Sequence, residues 1–295
     1  MVTAHEQGRR AITGGRSLYW QAWLPLGPAR AVVVVVHGIH EHSARYAHVG
    51  ARLAAAGFAV YAADHRGHGR SDGRRANIER MALIQQDLRS FVRFAADRHP
   101  GPTFMVGHSL GGLIALEYAI DGGATGCRLD GLVLSGPAVT ATAGSALAKR
   151  LAPVLSALLP DLGVASLDAE VKISRDPDVV CSYQNDPLVY RGRIKARTGA
   201  EILAVMQRLP AGLPRLSVPL LILHGTDDHI CPLTGSVMVH QAVSSPDKTL
   251  RRYPGLYHEV FNEPERDEIL TDLISWLNDR SRPHSAGASG LPQCV

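Results

Sequence analysis

Cysteine and long uncharged stretches are both scarce in this sequence. Its 295 residues include four cysteines that lie far apart and form no CxxC pair, namely Cys127, Cys181, Cys231 and Cys294. This spacing argues against a disulfide framework or a zinc ribbon, and it predicts free thiols in a reducing compartment. No run approaches the ~18 apolar residues that cross a bilayer, and the segment MVTAHEQGRR lacks the apolar core of a secretory signal. We therefore expect a cytoplasmic protein that at most attaches to a membrane surface.

Basic residues form no block, although the formal net charge is +4. The arginines are scattered, with short pairs at residues 9–10, 74–75 and 251–252. This distribution is typical of a solvated surface, so we expect no nucleic-acid partner. At 295 residues the chain is long enough for one large α/β domain or two small ones. Apolar residues make up 45% of it, which is ordinary for a globular protein. The oligomeric state stays open.

Short apolar segments punctuated by glycine or proline recur along the chain. They predict strands at residues 17–25, 31–36, 58–64, 103–107, 131–136, 219–225 and 249–255. The segments after the first are apolar on both faces, which indicates central parallel strands. Helical patterns at residues 46–57 and 78–99 lie between some of them. The fold class is therefore predicted to be α/β, with a doubly wound, mostly parallel central sheet flanked by helices.

One interval, residues 138–215, interrupts this alternation. It has no convincing strand but has an apolar stripe at helical spacing, made of Leu147, Leu151, Val154, Leu155, Leu158, Leu159 and Leu162. We interpret the interval as a mainly helical cap over the carboxyl edge of the sheet, where ligands bind in open α/β folds. The stripe fits a helix that covers the core, which we favour, or a surface that also contacts lipid.

The cap divides the predicted core into two parts, residues 1–137 and residues 216–280. The last residues, 281–295, are polar and rich in glycine, serine and proline. Such a composition predicts a disordered tail.

The segment TFMVGHSLGGLIALEYAI, residues 103–120, has the pattern of a nucleophile elbow. A predicted strand runs into GHSLG, with Ser109 at its centre, and then directly into a helix, which is the context that G-x-S-x-G requires. A serine on so sharp a turn needs flanking residues without a Cβ atom. Ser109 would present its hydroxyl at a helix amino terminus, whose dipole favours a developing oxyanion.

A serine hydroxyl becomes a strong nucleophile only when a base takes its proton and an acid orients that base. In folds with this elbow, the acid and then the histidine follow the serine on loops after later strands. Asp227 and Asp228 follow the predicted strand at 219–225, and His258 follows the one at 249–255. Either aspartate fits by position alone.

The segment HGIHEHSARY, residues 37–46, follows the valine-rich strand and admits two interpretations. An oxyanion hole needs one backbone N–H from the residue after the serine, Leu110, and another from a loop near the first long strand. The three histidines around Glu41 also resemble the H-x-H-x-D-H cluster of zinc hydrolases. The spacing differs, because no H-x-H is followed by Asp-His, so we expect no metal site.

Five motifs together resemble those of the monoacylglycerol lipases of the α/β-hydrolase fold: HGxxEHSxRY, DHRGHGxSDG, GHSLGG, HGTDDxxxP and YPGLYHEVFNE. The similarity covers nearly the whole chain. It implies Ser109 as nucleophile, His258 as base and then acid, and Asp228 as orienting acid. In this family the acid stands three residues after a glycine and four before a proline, here Gly225 and Pro232, which favours Asp228 over its neighbour.

The resemblance also implies binding groups around the triad. The oxyanion donors become the amides of Ile39 and Leu110. Glu41, Arg45 and Tyr183 match polar groups that bind the glycerol end of the substrate in the family. An ion pair between Glu41 and Arg45 that fixes the loop is an equally good interpretation.

The activity implied is hydrolysis of a monoacylglycerol to a fatty acid and glycerol through an acyl-enzyme on Ser109. It requires no metal or organic cofactor. The expected partner is a lipid substrate, and the cap is expected to line an acyl tunnel and to meet a membrane or micelle surface. The alternatives are a broader carboxylesterase or lysophospholipase with the same triad, and a non-catalytic ligand-binding protein on this fold.

Two residues deserve separate expectations. His40 stands where relatives commonly have the second glycine of H-G-x-G, so it removes a flexible position beside the oxyanion donor. Cys231 lies three residues past Asp228, and we expect bulky thiol reagents to interfere with catalysis through it.

Overall fold

An eight-stranded sheet forms the centre of the computed structural model, which describes residues 4–122, 127–140, 146–167 and 172–281. Its eight strands are β1 (Ala4–Ile12), β2 (Arg16–Leu24), β3 (Val32–Val36), β4 (Ala59–Ala63), β5 (Thr103–His108), β6 (Gly131–Ser135), β9 (Leu220–Gly225) and β10 (Lys248–Tyr253). Two short strands, β7 (Gly163–Ala165) and β8 (Ile194–Lys195), lie outside this sheet. The central sheet has the order β1-β2-β4-β3-β5-β6-β9-β10. β2 pairs antiparallel with both β1 and β4, and the other pairs of neighbouring strands in this sheet are parallel. The predicted α/β class with a mostly parallel sheet is confirmed.

Helices cover both faces of this sheet. In the described ranges they are α1 (Ala47–Ala55), α2 (Met81–Arg98), α3 (Leu110–Ile120), α4 (Ala146–Leu158), α5 (Pro177–Asn185), α6 (Ala196–Gly212), α7 (Leu233–Ala242) and α8 (Arg266–Arg280). Buried residues of α2, α3, α6 and α7 share one core cluster, and those of α1 and α8 share the other. The sheet is thus a layer between two helical layers, as parallel sheets require.

The valine run of β3 explains why this strand lies inside the sheet. All five of its side chains are buried. Val32, Val34 and Val36 pack into one core cluster, while Val33 and Val35 pack into the other. Side chains alternate between the two faces of a strand, so a continuous apolar run is the pattern of a strand covered on both faces.

The two ends of the sheet differ from the expectations. β1 was not among the predicted strands, because its sequence AHEQGRRAI is mostly polar; five of its nine residues are exposed and the other four are partly buried. β10 was expected to be central, but it is an edge strand and its Arg251 and Arg252 are exposed. An edge strand has a neighbour on one side only and tolerates charged residues.

The interval predicted as a cap holds α4, β7, α5, β8 and α6. The expectation that it contains no strand is wrong, because β7 and β8 pair as a short antiparallel ribbon. The second half of α6 also packs into the hydrophobic core, since Val205 and Leu209 belong to the same core cluster as residues of α3. The boundaries at residues 138 and 215 stay predictions.

Four side chains of the cap's apolar stripe face outward, whereas Leu155 is partly buried. Val154, Leu158, Leu159 and Leu162 are 54%, 73%, 53% and 45% exposed, respectively. The favoured expectation that this stripe covers the core is therefore wrong for these four residues. The side chains of Leu147 and Leu151 lie outside the described part of the chain, as do residues 282–295 of the predicted tail.

Among the helices in the described ranges, none is both long enough and apolar enough to cross a bilayer.

Candidate active site

Ser109 occupies a sharp turn between β5 and α3. Its backbone has φ 52° and ψ −118°, a left-handed conformation that is costly for a residue with a Cβ atom. The turn is held because the Ser109 N–H donates to the Ser135 carbonyl at 3.0 Å, while the Ser109 carbonyl accepts from the N–H of Gly112 and Ala138. The strained serine therefore stands at the amino terminus of a helix, as the G-x-S-x-G pattern predicted.

Steric clashes explain why the residues on either side of Ser109 in the elbow are glycines. A Cβ on Gly107 would lie 2.5 Å from the carbonyl oxygen of Gly111, and one on Gly111 would lie 2.0 Å from that of Val36. Neither contact is tolerated by a real side chain. The turn consequently requires glycine on both sides of Ser109.

His258 and Asp228 are paired at the carboxyl edge of the sheet. Asp228 follows β9, His258 follows β10, and His258 Nδ1 lies 2.7 Å from Asp228 Oδ2. Burial opposes protonation of this imidazole, but the charge of Asp228 and the hydrogen bond to it outweigh burial and raise the pKa of His258. Asp227 takes no part, because its exposed carboxylate accepts from the Thr226 hydroxyl.

The Asp228 carboxylate is held by several donors at once. Oδ1 accepts from the N–H groups of Ile230 and Cys231, both at 2.8 Å. His224 Nε2 lies 3.3 Å from Oδ2, and His224 Nδ1 is fixed by the Ser236 hydroxyl at 2.7 Å. Burial alone would raise the pKa of Asp228, but His258 and these donors hold it well below its usual range. The carboxylate therefore stays charged and faces the base.

Ile39 lines the same pocket as Ser109, and Leu110 is the residue after Ser109. Leu110 is the first residue of α3, and Ile39 lies in the loop after β3. Gly38 leaves room beside the nucleophile, because a Cβ there would lie 3.2 Å from the Ser109 Cβ. The roles of the Ile39 and Leu110 N–H groups as oxyanion donors stay predictions.

Glu41 and Arg45 form an ion pair. The sequence admitted either this pair or contact with the glycerol end of a substrate. Glu41 Oε2 accepts from Arg45 Nη1 at 2.8 Å, and Glu41 Oε1 accepts from the Gly38 N–H at 2.5 Å. Arg45 also donates two hydrogen bonds to Glu259, at 2.6 and 2.7 Å. Its guanidinium lies 4.8 Å from the ring centroid of Tyr183, so the predicted glycerol-site residues are close together. Their contact with substrate stays a prediction.

The histidines of HGIHEHSARY are dispersed rather than gathered. The ring of His37 stacks on His65 with centroids 3.9 Å apart, and His37 Nε2 accepts from the His65 N–H. His42 Nε2 lies 2.8 Å from Asp186, and His40 packs edge-to-face on Tyr190 at 4.9 Å. Within the described ranges, no three His, Cys, Asp or Glu side chains converge as a metal site would require.

His40 has a left-handed backbone with φ 66°. This explains why glycine is the usual residue at its position, since glycine adopts such a conformation without steric cost. The side chain is 3% exposed, and its Nε2 has no hydrogen-bond partner among the residues that the structure describes. Burial, with the nearby charges of Lys195 and Arg75, lowers the pKa of His40 to about 4, so the ring is neutral.

One small pocket is lined by residues of the Ser109 turn, the loop after β3, the loop of His258 and the cap interval. Its lining includes the reactive groups Ser109 and His258, the loop residues Gly38, Ile39 and Glu41, and the side chains His108, Leu167, Ile173, Tyr183, Ile230 and Glu259. Tyr183, Ile173 and Leu167 come from the cap interval, and the side chains of Ile173, Leu167 and Ile230 give the pocket an apolar wall. A polar end beside Glu41 and an apolar wall suit an ester with one polar and one apolar part.

Comparisons with known proteins agree on the family. The serine aminopeptidase S33 model of the Hydrolase_4 family matches residues 27–265. A monoacylglycerol lipase of Mycolicibacterium smegmatis is 42% identical over 273 residues, which cover 90% of this chain and 95% of that protein. The chain belongs to the monoacylglycerol lipase family.

Two further members of this family support the assignment. The human monoglyceride lipase is 34% identical over 283 residues, covering 94% of this chain and 91% of that protein. The crystal structure of the monoacylglycerol lipase of Paleococcus ferrophilus superimposes with a TM-score of 0.80 at 32% identity, over 89% of this chain and 99% of that one. The expected resemblance to monoacylglycerol lipases is confirmed over nearly the whole chain.

Three residues that contact the catalytic site were not predicted from the sequence of this member of the monoacylglycerol lipase family. His224 contacts the carboxylate of Asp228, and His108 lies with its ring 4.6 Å from that of His258. Glu259, the third, binds Arg45. Each of the three lies in a motif already noted and close in sequence to a predicted catalytic residue. That closeness is the feature of the sequence from which they could have been predicted.

Proposed function

We propose that this protein is a serine ester hydrolase that cleaves monoacylglycerols to a fatty acid and glycerol. The observation behind the proposal is the 2.7 Å contact of Asp228 Oδ2 with Nδ1 of His258, which lines one pocket together with the strained Ser109. Such a base, oriented by a buried acid, is what a serine nucleophile needs. The names of the bacterial and human relatives support the same activity.

Acylation follows from this geometry. His258 takes the Ser109 proton as the serine oxygen attacks the ester carbonyl, and Asp228 stabilises the imidazolium that forms. The N–H groups of Ile39 and Leu110 donate to the tetrahedral oxyanion. When the intermediate collapses, His258 returns the proton to the leaving glycerol oxygen, and the acyl group stays on Ser109.

Deacylation repeats these steps with water. His258 removes a proton from the water that attacks the acyl-enzyme, and the same two N–H groups receive the oxyanion. Release of the fatty acid restores the Ser109 hydroxyl. These steps use no metal or organic cofactor.

The polar end of the pocket is proposed to receive the glycerol head. Its two free hydroxyls lose water on entry and need replacement hydrogen bonds. Glu41, Arg45 and Tyr183 lie at this end of the pocket, and Glu41 and Tyr183 belong to its lining. The acyl chain would then follow the apolar wall formed by residues of the cap.

The outward-facing leucines of the cap are proposed to contact the membrane or micelle that holds the substrate. Leu158 and Leu159 are the most exposed pair among adjacent residues of the stripe, and neighbouring exposed apolar side chains mark contact surfaces. Replacing both by serine is expected to reduce turnover of vesicle-borne substrate and to leave turnover of a water-soluble ester unchanged. Equal losses on both substrates would contradict a role in lipid contact.

A hydrolysis panel tests the proposed function. Purified protein is given mono-, di- and triacylglycerols and lysophospholipids of matched chain lengths, with Ser109→Ala as the background control. We expect the monoacylglycerols to be turned over fastest. Equal rates on diacylglycerols or lysophospholipids would instead identify a broader esterase or lysophospholipase, and absence of all ester turnover would favour a binding protein.

A further inference from the structure

A continuous chain of buried charged groups connects the loop of His258 to the oxyanion loop. Glu259, directly after His258, accepts from Arg45 Nη1 and Nη2 at 2.6 and 2.7 Å. Arg45 donates to Glu41 at 2.8 Å, and Glu41 accepts from the Gly38 N–H at 2.5 Å. Gly38 immediately precedes Ile39, the proposed oxyanion donor. Four hydrogen-bonded groups thus span the distance between base and oxyanion hole.

The charges in this chain are unequal. Two carboxylates, Glu41 and Glu259, share the single guanidinium of Arg45. Both acids are nearly fully buried, at 3% and 5% exposure. Burial would raise the pKa of Glu259, but Arg45 holds it at about 2, so this carboxylate is charged. Burial and the neighbouring charge of Glu259 raise the pKa of Glu41. Burying two acids beside one guanidinium is costly for stability alone, and such arrangements are typical of functional sites.

The remaining bonds of Glu259 hold it in place. Its Oε2 also accepts from Asn262 Nδ2 at 2.8 Å, and its N–H donates to the carbonyl of Ile173 in the cap interval at 2.8 Å. The Glu41 Oε1 that accepts from the Gly38 N–H also accepts from the Tyr46 hydroxyl at 2.7 Å. Both carboxylates therefore have little freedom to turn toward other partners, and the bidentate geometry at Arg45 adds orientation as well as attraction.

We propose that Glu259 is a positioning residue for the reaction: through Arg45 and Glu41 it fixes the oxyanion loop, and its charge favours the imidazolium of His258. This inference rests on the proposed ester hydrolysis at Ser109. It assigns a role to the residue after the base, which the motif comparison left without one. It also makes Arg45 part of the support of the oxyanion loop, in addition to its proposed place at the glycerol end.

The charge of Glu259 is one of several that act on His258. Other titratable or charged groups also surround this imidazole, from its own loop and from the elements packed against it: Asp228 and His224 on the β9 side, Cys231 beyond them, His108 at the end of β5, and Glu41 and Arg45 in the oxyanion loop. Burial lowers the pKa of His108 to about 3, so that ring is neutral and adds no charge near pH 7. Removing the negative charge of Glu259 should therefore make His258 easier to deprotonate.

Two variants separate geometry from charge. Glu259→Gln keeps the shape and removes the charge, whereas Glu259→Asp keeps the charge and shortens the reach to Arg45. On a water-soluble ester, we expect Glu259→Gln to lower kcat about tenfold with KM nearly unchanged, because the lost contacts act in the transition state. The midpoint of its kcat/KM pH profile should fall by about half a unit. Glu259→Asp should retain the parent's pH midpoint while its kcat remains low.

A boronic acid provides a readout that is independent of turnover. It adds to the serine oxygen and places a negatively charged oxygen where the oxyanion forms, so its inhibition constant reports the oxyanion hole. We expect Glu259→Gln to weaken this inhibitor by about the same factor as kcat. The control is Asp87→Asn, which disrupts another buried bidentate pair, with Arg66 at 2.8 and 2.9 Å, outside the pocket lining.

The outcomes are distinct. Asp87→Asn should lower the melting temperature and leave kcat, the pH midpoint and boronate inhibition at the parent's values. If Glu259→Gln behaves in the same way, Glu259 is a structural residue only and the inference is wrong. If the parent protein neither turns over esters nor binds the boronate, the proposed function and the inference about Glu259 are both wrong. Parent activity with an unaffected Glu259→Gln variant overturns the inference alone.

Discussion

Oδ2 of Asp228 lies 2.7 Å from Nδ1 of His258, while the side chain of the adjacent Asp227 is exposed and hydrogen-bonded to Thr226. The two aspartates are chemically identical neighbours on one loop. Only the second is buried against the histidine, because its Oδ1 is fixed by the N–H groups of Ile230 and Cys231. The position of the acid is thus set by local backbone geometry after β9.

Replacing these aspartates one at a time tests that difference. Asp228→Asn should lower kcat by about 10⁴-fold, as removal of the orienting carboxylate does in other serine triads, because the imidazole loses its tautomer and its counter-charge. Asp227→Asn is the matched control and should retain the parent's rate. Steady-state turnover of a chromogenic ester measures both. Similar losses in the two variants would contradict the assignment of Asp228.

Much of the site could be predicted from sequence because its parts are local. Ser109 stands in a continuous strand, turn and helix, and the steric demands of that turn select glycine at fixed positions. Asp228 and His258 each follow directly from a strand end. The contact of Glu259 with Arg45 could not be predicted, since these residues are 214 positions apart and their meeting depends on tertiary structure.

The fold shows the same division. The strands β3, β5 and β9 are buried on both faces, and each contains a run of at least three consecutive apolar residues. β1 escapes such detection because an edge strand beside solvent keeps polar residues. The apolar stripe of the cap was misinterpreted for a different reason. Helical spacing places Val154 and Leu158 on one face of α4, but spacing alone does not say whether that face meets the core or the solvent.

The pH dependence of catalysis should follow His258. Burial opposes its protonation, but Asp228 and the other nearby carboxylates raise the pKa of this imidazole above its usual value of about 6.5. Only the neutral ring accepts the serine proton, so kcat/KM should rise as pH increases through this pKa, with a midpoint above about 6.5. A kcat/KM profile from pH 5 to pH 9 measures it. A midpoint below that value, or a rate that falls across the interval, would be inconsistent with this assignment.

His40 should respond differently to alanine and to glycine. Both substitutions remove the ring from Tyr190, but only glycine relieves the left-handed φ of 66°. His40→Gly should therefore be more stable than His40→Ala by about 1 kcal/mol, the usual cost of a Cβ atom in this conformation. Urea unfolding of the two variants gives the difference. The opposite order would mean that the position has an ordinary backbone conformation.

Cys231 should make the enzyme slowly sensitive to thiol reagents. Its thiol is buried and within hydrogen-bonding reach of Ser109, and burial, together with the charge of Asp228, raises its pKa well above the usual range. A maleimide should therefore inactivate the parent slowly, because little thiolate is present. Cys231→Ala should resist, whereas Cys181→Ala, which removes an exposed thiol, should inactivate like the parent. Undiminished sensitivity of Cys231→Ala would show that another group is responsible.

The most direct test of catalysis at Ser109 is turnover of a monoacylglycerol by the Ser109→Ala variant, with folding checked by its melting temperature. Members of a catalytic triad act as a unit, so loss of the nucleophile should lower kcat by about 10⁶-fold relative to the parent. The melting temperature should remain close to that of the parent or rise, since Ser109 sits in a strained turn whose backbone does not depend on the hydroxyl. Monoacylglycerol hydrolysis that persists at the parent's rate in a folded Ser109→Ala variant would contradict the proposed mechanism.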